Sequence, residues 1–236
     1  MRVLLLVFVL AIPAFAQTPF VSQAFEAGNV AAQEKRYENA IEKYRTTAMF
    51  AETERLSDSF LAKIHFNIGV CLYQLKRADE AVAEYTEAIK LSKREYQKAF
   101  YALGMAQKDL ENWREAENSL RDALKIEKSD GEAWFDLALI RLERKDFTAA
   151  QKAFENAVKY KSASAADAHN NLGVIAAFEN DWNSAEREFQ TALRESNGKS
   201  VEAQGNLRFC KFYRQNYKSE DLLAKLEFSQ TSKRGE

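Results

Sequence analysis

Apolar residues in this chain recur at spacings of three, four and seven, which places them on one face of a helix. The sequence also has a longer period, because an alanine recurs after every 34 to 41 residues. The recurring alanines are Ala40, Ala81, Ala116, Ala150 and Ala185. A period of this length predicts a stack of repeated helix pairs, in which each pair packs only against its neighbours.

Small and large residues hold fixed places around these alanines. Twelve residues before them stand Gly28, Gly69, Gly104, Ala138 and Gly173. Four residues after them stand Tyr44, Tyr85, Leu120, Phe154 and Phe189. Three residues before most of them stands an aromatic residue: Tyr37, Trp113, Phe147 and Trp182. We expect the small residues to let two helices approach closely and the large ones to fill the space around that contact.

Short polar stretches separate the two halves of each repeat. Residues 75–78 and 179–182 have the length of a tight antiparallel turn. Ser129 and Glu132 fit the capping box that opens a helix. The first repeat has about seven extra residues around 52–59, which predicts a longer second helix or a longer loop.

The order of these residues resembles the motif of the tetratricopeptide repeat family. One unit matches through Phe100, Leu103, Gly104, Ala116, Leu120 and Ala123. Others match through Trp134, Leu137, Ala138, Ala150, Phe154 and Ala157, and through Leu172, Gly173, Ala185, Phe189 and Ala192. No proline ends any unit, which departs from the family pattern. The resemblance implies an all-α, right-handed solenoid of antiparallel helix pairs, with about five repeats and a C-terminal capping helix pair.

The expected repeats divide one solenoid domain over residues 17–228. They are residues 21–54, 62–95, 97–130, 131–164 and 166–199, followed by a degenerate cap at 201–228. Asn206 and Leu207 echo Asn171 and Leu172, so the cap is expected to open like a sixth repeat. Its second helix is expected near 219–228, and residues 229–236 are expected to form a polar tail.

The first 16 residues follow a different pattern, that of a secretory signal peptide. Arg2 is followed by an uninterrupted apolar run over residues 3–12, and small residues stand at Ala14 and Ala16 before the expected cleavage site. A membrane anchor is the alternative, but a run this short does not reach the roughly 20 residues that a span requires. We therefore expect export, most readily to a bacterial periplasm, with a eukaryotic secretory route left open.

Composition limits the partners and the covalent chemistry. The chain has 34 basic and 35 acidic residues and a net charge of −1, so it lacks the basic excess that binds nucleic acid. Cys71 and Cys210 hold equivalent places four repeats apart. Since a disulfide needs Cα atoms within about 7 Å, we expect two buried thiols and no bridge between them.

In the tetratricopeptide repeat family, the first helices of the pairs line a concave groove that binds proteins or peptides. Carried over by position, the resemblance gives a set of expected groove residues: Phe66, Val70, Tyr73, Tyr101, Met105, Phe135, Leu139, Asn170, Val174, Phe178, Phe209 and Phe212. The resemblance gives further groove positions along the same helices: Phe25, Asn29, Ala32, Gln33, Gln74, Lys108, Asp109, Leu142, Glu143, Ala177 and Tyr213. The place after the small residue, often asparagine in the family, is Val70, Met105, Leu139, Val174 or Phe209 here, so the groove is expected to be unusually apolar.

An apolar, aromatic groove favours an extended peptide or an amphipathic helix as its ligand. Three alternatives stay open. Single aromatic residues can pack against the next helix instead, and a lipid or other apolar molecule can occupy the same groove. A carboxylate clamp of the kind found in some family members is incomplete here, because Asn29, Asn67 and Lys98 match it while Phe25 and Ala102 do not.

Residues for catalysis or metal binding are not brought together by the pattern. His65 and His169 hold equivalent places three repeats apart, whereas zinc needs three or four ligands at one point. The sequence contains no Gly-rich phosphate loop, no GxSxG and no HExxH. We therefore expect a non-enzymatic scaffold in the cell envelope with no cofactor and no catalytic residue. Its expected partner is a protein or peptide, and an envelope assembly complex is one setting for that contact. A hydrolase has no support in the sequence.

Overall fold

A computed structural model describes residues 19–216 and Phe228, and over these residues the chain forms eleven helices and no strand. The first helices of the pairs are α1 (Pro19–Gln33), α3 (Asp58–Gln74), α5 (Gln97–Asp109), α7 (Gly131–Glu143) and α9 (Ala165–Phe178). The second helices are α2 (Tyr37–Thr53), α4 (Ala78–Leu91), α6 (Trp113–Ile126), α8 (Phe147–Lys159) and α10 (Trp182–Glu195). One more helix, α11 (Val201–Asn216), follows them.

The helices pack in chain order. Each first helix lies mainly against the second helix of its own pair, and each second helix then contacts the first helix of the next pair. First helices also meet one another directly, as α3 meets α5 and α9 meets α11. The expected all-α solenoid of helix pairs is thereby confirmed.

The contact inside each pair is made by a small residue against a large one. A Cβ added at Gly28, Gly69 or Gly173 would lie 2.6 Å from the ring of Tyr44, Tyr85 or Phe189, and one at Gly104 would lie 2.9 Å from Leu120. The recurring alanines on the second helices have no exposed surface. The helices are therefore as close as these residues permit, as the sequence pattern predicts.

The core is divided along the stack instead of being gathered at one centre. One buried cluster runs from α1 to α5, a second is built mainly from α6 to α9, and a third joins α9, α10 and α11. Cys71 lies in the first cluster and Cys210 in the third, and both are buried free thiols. This division follows from a repeat array in which each pair touches only its neighbours.

Three-residue turns join the two helices of each pair. Their middle residue has a left-handed backbone in every pair, although none is glycine: Lys35, Lys76, Glu111, Lys145 and Asn180, with φ between 59° and 63°. In the α3–α4 turn, the Lys76 N–H donates to the Tyr73 carbonyl at 3.0 Å and the Arg77 N–H to the Leu72 carbonyl at 3.0 Å. These two bonds are the Schellman pattern that satisfies the last carbonyls of a helix.

The cap of α7 differs from the expected one. Asp130, not Ser129, caps the helix, and its carboxylate accepts from the Ala133 N–H at 3.0 Å. The Glu132 carboxylate accepts from the Ser162 hydroxyl at 3.0 Å and from the Ala163 N–H at 2.5 Å. This glutamate therefore ties the start of α7 to the loop before α9.

The extra residues of the first repeat are found in two helices. Both α2 and α3 have 17 residues, while the helices from α4 to α10 have 13 or 14. The longer second helix is thus present, and the following helix is longer as well. The loop between α2 and α3 is short, from Glu54 to Ser57.

Several expectations lie outside the described residues. They are the signal peptide at 1–16, the second helix of the cap at 219–228 apart from Phe228, and the polar tail at 229–236. Among the helices that the structure does describe, none combines the length and the apolar character needed to cross a bilayer.

Candidate functional site

The odd-numbered helices, α1 to α11, form one layer of the stack, and its solvent-facing side is called the inner face below. All of the expected groove residues lie on these helices. Phe178 and Phe212 are exposed, with 39% and 53% of their surface accessible. Partly buried members are Phe66, Val70, Tyr73, Tyr101, Met105 and Phe209. Buried members are Phe135, Leu139, Asn170 and Val174.

Three of the expected groove residues are corrected by their burial, since Phe135, Asn170 and Val174 have no exposed surface. The Phe135 ring packs against the Phe154 ring, with 5.6 Å between centroids. The Asn170 side chain accepts a hydrogen bond from Asn206 Nδ2 at 2.9 Å, and Val174 belongs to the third core cluster. The structure therefore places these residues beneath the inner face, as packing residues that cannot touch a ligand.

The hydroxyl groups of two half-buried tyrosines connect successive first helices. Tyr73 Oη on α3 donates to Asp109 Oδ2 on α5 at 2.5 Å, and Tyr101 Oη on α5 donates to Asp136 Oδ2 on α7. Burial, and then the neighbouring Asp109 carboxylate, raise the pKa of Tyr73. These hydrogen bonds connect neighbouring repeats and already use the donor protons of both hydroxyl groups. A ligand would therefore contact the tyrosine rings instead of their hydroxyl groups.

Asp136 is a fully buried carboxylate that takes part in this network. Lys108 Nζ lies 3.6 Å from Asp136 Oδ1, and the Lys108 side chain is itself only 20% exposed. A buried carboxylate is tolerated when hydrogen bonds and an opposite charge compensate for its lost hydration. The network leaves Lys108 partly buried and Asp109 exposed at the end of α5, in the middle of the stack.

A cleft of about 600 Å³ opens at this point of the inner face. It is lined by Lys108, Asp109, Trp113, Leu139, Ile140, Leu142, Glu143, Lys145, Phe147 and Phe228. Five of these, Lys108, Asp109, Leu139, Leu142 and Glu143, hold groove positions expected from the sequence. The volume is in the range of ligand-binding clefts in proteins. Its walls combine apolar side chains with two lysines and two carboxylates at the rim.

Three phenylalanines form an aromatic row, of which Phe147 and Phe228 line the cleft and Phe178 lies between them. Phe147 at the start of α8 stacks on Phe178 at the end of α9, with 6.0 Å between centroids and 24° between ring planes. Phe178 stacks in turn on Phe228, at 6.1 Å and 19°. Both Phe147 and Phe178 keep 39% of their surface exposed. The row therefore offers an apolar surface that continues from the cleft toward the C-terminal repeats.

Sequence reasoning found Phe178 but missed Phe147 and Phe228 as site residues. Phe147 was recognisable only as the aromatic residue three positions before Ala150, a place that usually serves packing. Phe228 stands beyond the last recognisable repeat motif, and nothing in the repeat period assigns it a neighbour.

The two histidines take part in contacts inside their own pairs. His65 Nδ1 lies 2.7 Å from Glu84 Oε2, and His169 Nδ1 lies 2.7 Å from Glu188 Oε2. The two contacts are equivalent, because each joins the first and second helices of one pair. The two pairs lie three repeats apart in the chain. Over residues 19–216 and Phe228, no group of three or more histidine, cysteine, aspartate or glutamate side chains is arranged to hold a metal ion.

Asn29, one of the three residues that match the incomplete carboxylate clamp, makes its hydrogen bonds inside its own helix pair. Asn29 Oδ1 accepts from the Tyr44 hydroxyl at 2.8 Å, while Asn29 Nδ2 donates to Glu26 at 3.1 Å. Burial raises the pKa of Tyr44 to about 12, so this hydroxyl remains a donor at neutral pH. Asn29 is thus occupied by its own helix pair.

Comparison with known proteins gives a consistent family assignment. A sequence model described as Tetratricopeptide repeat matches residues 101–150 and 138–200, and a second model with the same description matches residues 62–95. The matched residues cover more than half of the chain and include every helix from α3 to α10 in whole or in part.

Solved structures with the same fold include MamA of Desulfovibrio magneticus RS-1 from residue 41 to its end. It has a TM-score of 0.66 at 16% identity, over 79% of this chain and 100% of the other. YrrB, described as a TPR protein with an unusual peptide-binding site, has a TM-score of 0.62 at 21% identity, over 79% and 95%. BtubC from P. vanneervenii has a TM-score of 0.64 at 19% identity, over 85% and 83%. At these identities the likeness concerns the fold alone.

A curated relative matches by sequence over a shorter stretch. The DnaJ homolog subfamily C member 7 homolog of Schizosaccharomyces pombe is 26% identical over 131 residues. That stretch is 56% of this chain and 27% of the relative, so the chain spans about a quarter of that protein's length.

Proposed function

This chain belongs to the tetratricopeptide repeat family, and from that premise we propose that it is a non-enzymatic scaffold that binds a peptide or an amphipathic helix of a partner on its inner face. Proteins of this family bind protein or peptide partners. The observation that carries the proposal is the cleft lined by residues of α5 to α8, with the exposed Phe147 in its wall and the exposed Phe178 stacked on Phe147. A peptide-binding site in YrrB, a structural neighbour, supports the choice of a peptide.

The chemistry of the cleft indicates what part of a partner would fit. An aromatic or aliphatic side chain can enter between Leu139, Leu142 and Phe147, where apolar contact supplies most of the binding energy. Lys108 and Lys145 can receive a carboxylate at the rim, while Asp109 and Glu143 can receive an amine or amide. An amphipathic helix and an extended segment both present apolar side chains flanked by polar ones in this way.

Two single substitutions test the proposal at exposed or partly exposed positions. Leu142→Asp and Phe178→Asp should each weaken partner capture about 10-fold or more, because a charge replaces an apolar contact. Ile126→Asp on α6 is the matched control, since Ile126 is also exposed, at 43%, and lies away from the cleft. Quantitative affinity capture from the native cell compares the three variants, with helix content followed by circular dichroism. Equal capture by all three would overturn the proposal.

A second candidate is a carrier of a lipid or another apolar ligand. The cleft volume and the aromatic row favour it, since both suit a small apolar molecule as well as a side chain. Native mass spectrometry of the purified protein separates the two candidates. A co-purifying small molecule that is lost in Phe178→Asp would support the carrier, and a protein of unchanged mass would support the scaffold.

We also propose that the scaffold works outside the cytoplasm, in the cell envelope. The support is the pattern of residues 1–16, whose apolar run and small residues suit an exported leader. N-terminal sequencing of the protein from fractionated cells checks it. A periplasmic protein that begins at Gln17 is expected, and a cytoplasmic protein that begins at Met1 would contradict the proposal.

A further inference from the structure

A second cleft, of about 390 Å³, lies where the third helix pair meets the fourth, and residues of α6, of α7 and of the loop between them line it. Trp134 and Leu137 of α7, together with Leu124 of α6, give it an apolar wall. Trp134 and Leu137 are three residues apart and share one face of α7, whereas Leu139 and Leu142, which line the cleft on the inner face, share another. The junction of these pairs therefore carries a separate surface.

The rim of this second cleft is basic. It is formed by four side chains: Arg121, Lys125, Lys128 and Arg141. Two of them have acidic neighbours, since Lys125 Nζ lies 2.7 Å from Asp122 Oδ1 and Arg141 Nε lies 3.1 Å from Glu117 Oε1. Arg121 and Lys128 are exposed, and neither forms an ion pair with another residue that the structure describes. Two positive charges are therefore available to a ligand, on a chain whose net charge is −1.

The indole of Trp134 is oriented by the loop that carries Lys128. Trp134 Nε1 donates to the Lys128 carbonyl oxygen at 2.9 Å, so the polar atom of the ring is satisfied within the protein. The indole is only partly buried, and Leu124 and Leu137 beside it are 6% and 1% exposed. An aromatic or aliphatic side chain can therefore pack on the ring while the groups next to it reach the basic rim.

The arginines are particular to this junction and are not a feature of every repeat. Relative to the recurring alanines, the corresponding places in the preceding and following repeats hold other residues: Thr86 and Glu155 for Arg121, and Gln107 and Ala176 for Arg141. The packing of a helix pair thus does not require arginine at either place. Because a glutamate occupies the place of Arg121 in the next repeat, reversal of this charge is compatible with the fold.

We propose that this second cleft, called the basic cleft below, binds an acidic segment of a partner protein. One aromatic or aliphatic side chain of the segment packs against Trp134, and its carboxylates meet Arg121 and Lys128 through charge-assisted hydrogen bonds. A ligand that offers charge alone would leave the apolar wall uncovered, which favours a segment with both kinds of side chain. The basic cleft is a docking surface in addition to the inner face, and it does not depend on the function proposed for that face.

The test uses the full chain and a synthetic probe of defined sequence. The probe is a fluorescein-labelled peptide with blocked ends, in which a central phenylalanine is flanked on each side by three glutamates. One control peptide has serine in place of the phenylalanine, and another has glutamine in place of every glutamate. Fluorescence anisotropy measures the binding of each peptide to the wild-type protein and to the double variant Arg121→Glu with Lys128→Glu.

A matched double variant, Lys63→Glu with Lys152→Glu, makes the same change of charge at exposed lysines of α3 and α8 outside the basic cleft. Circular dichroism checks that all variants keep their helix content. If a charge reversal at the basic cleft lowers the helical signal, Arg121→Gln and Lys128→Gln take its place.

The double variant at the basic cleft should bind the probe about 10-fold or more weakly than the wild type does, because two attractive charge contacts become repulsive. The matched double variant should bind it within about 2-fold of the wild type, since exposed charges outside the cleft are screened. Both control peptides should bind more weakly than the probe. Raising NaCl from about 0.05 M to about 0.5 M should weaken probe binding to the wild type.

Several results would overturn the inference. They are equal probe binding by the wild type and the double variant, equal binding of the probe and the serine peptide, and no binding to the wild type at millimolar probe. A thymidine oligonucleotide of the same charge that binds more tightly than the probe, and loses that binding in the double variant, would show a phosphate site instead of a protein-docking surface.

Leu142→Asp separates this inference from the proposed function, because it changes the inner face alone. Probe binding should be the same for Leu142→Asp and the wild type, and a loss confined to Leu142→Asp would place the probe on the inner face and overturn the inference. Partner capture that is indifferent to Leu142→Asp and Phe178→Asp, with probe binding as expected, would remove the inner-face function and leave the basic cleft in place.

Discussion

At the scale of single residues, the packing of this protein depends on the contact between a small residue on a first helix and a large residue on the second. Gly69 faces the ring of Tyr85, which is only 2% exposed and cannot move aside. Gly205 on α11 has no atom within 4 Å of the place where a Cβ would be. Close packing therefore excludes a side chain at Gly69, whereas there is room for one at Gly205.

The same substitution at these two glycines should have opposite effects on stability. Gly69→Ala should lower the free energy of unfolding by about 1–3 kcal/mol, because the new methyl group overpacks the helix contact. Gly205→Ala should raise it by about 0.5–1 kcal/mol, because alanine loses less backbone entropy in a helix. Urea unfolding measures both. A stabilising Gly69→Ala would contradict the account of close helix approach.

The large residue of the pair is tyrosine in two repeats, phenylalanine in two others and leucine in the fifth. Tyr85 holds the place that Phe154 and Phe189 hold in their own repeats. Burial raises the pKa of Tyr85, so the folded chain keeps this proton at a pH where the unfolded chain releases it. Stability from this group is present below the unfolded pKa of about 10 and declines as pH rises above it.

Tyr85→Phe should therefore protect the protein at alkaline pH. At pH 7 the variant should match the wild type closely, because phenylalanine is already used at this place in two repeats. At pH 11 the variant should be more stable than the wild type by roughly 1 kcal/mol. Thermal unfolding followed by circular dichroism between pH 7 and 11 measures the difference. An equal loss of stability in both proteins would show that the Tyr85 phenol does not contribute.

At the scale of helices and turns, repeat spacing predicts the helix pairs and the positions of their turns. It does not predict that Glu132 would bind the next loop, because that contact depends on how two repeats are placed relative to each other. It also does not predict the burial of Phe135. Helix α7 is buried on nearly all sides, with Phe135, Leu137, Leu139 and Ile140 all inside. A helix with neighbours on both sides loses the exposed stripe that the pattern of one helix implies.

The turn inside each pair leads to a further prediction on stability. Lys76 has a φ of 62°, a left-handed conformation that costs a residue with a side chain about 1–2 kcal/mol. Lys76→Gly removes that cost and loses about 0.5–1 kcal/mol through the greater freedom of the unfolded chain. We expect a net gain of about 0.5–1 kcal/mol.

Lys63→Gly is the control for this prediction, because Lys63 is exposed in the middle of α3 and glycine destabilises a helix interior by about 1 kcal/mol. Differential scanning calorimetry compares the melting temperatures of the two variants. A lower melting temperature for Lys76→Gly would mean that the lysine side chain contributes more to the turn than its backbone costs.

At the scale of the whole molecule, the chain is a linear stack of helix pairs, and the candidate cleft lies near the middle of that stack. The cleft is lined by residues of α5 to α8, where the first and second core clusters meet and where the partly buried Lys108 lies 3.6 Å from the buried Asp136. The sequence predicts several of the residues at its walls, since they follow the period. It does not predict that Phe228 lines the cleft, because this residue lies outside the repeat period and the period assigns it no neighbour.

The central claim is that a partner binds at this cleft, and site-specific photocrosslinking in the native cell tests it most directly. A photoreactive amino acid replaces Glu143, an exposed residue at the rim of the cleft, and in a second protein replaces Glu155, an exposed residue on α8 outside the cleft. We predict a discrete crosslinked protein from position 143 that is absent from position 155. Crosslinks of equal strength from both positions, or from position 155 alone, would contradict the account.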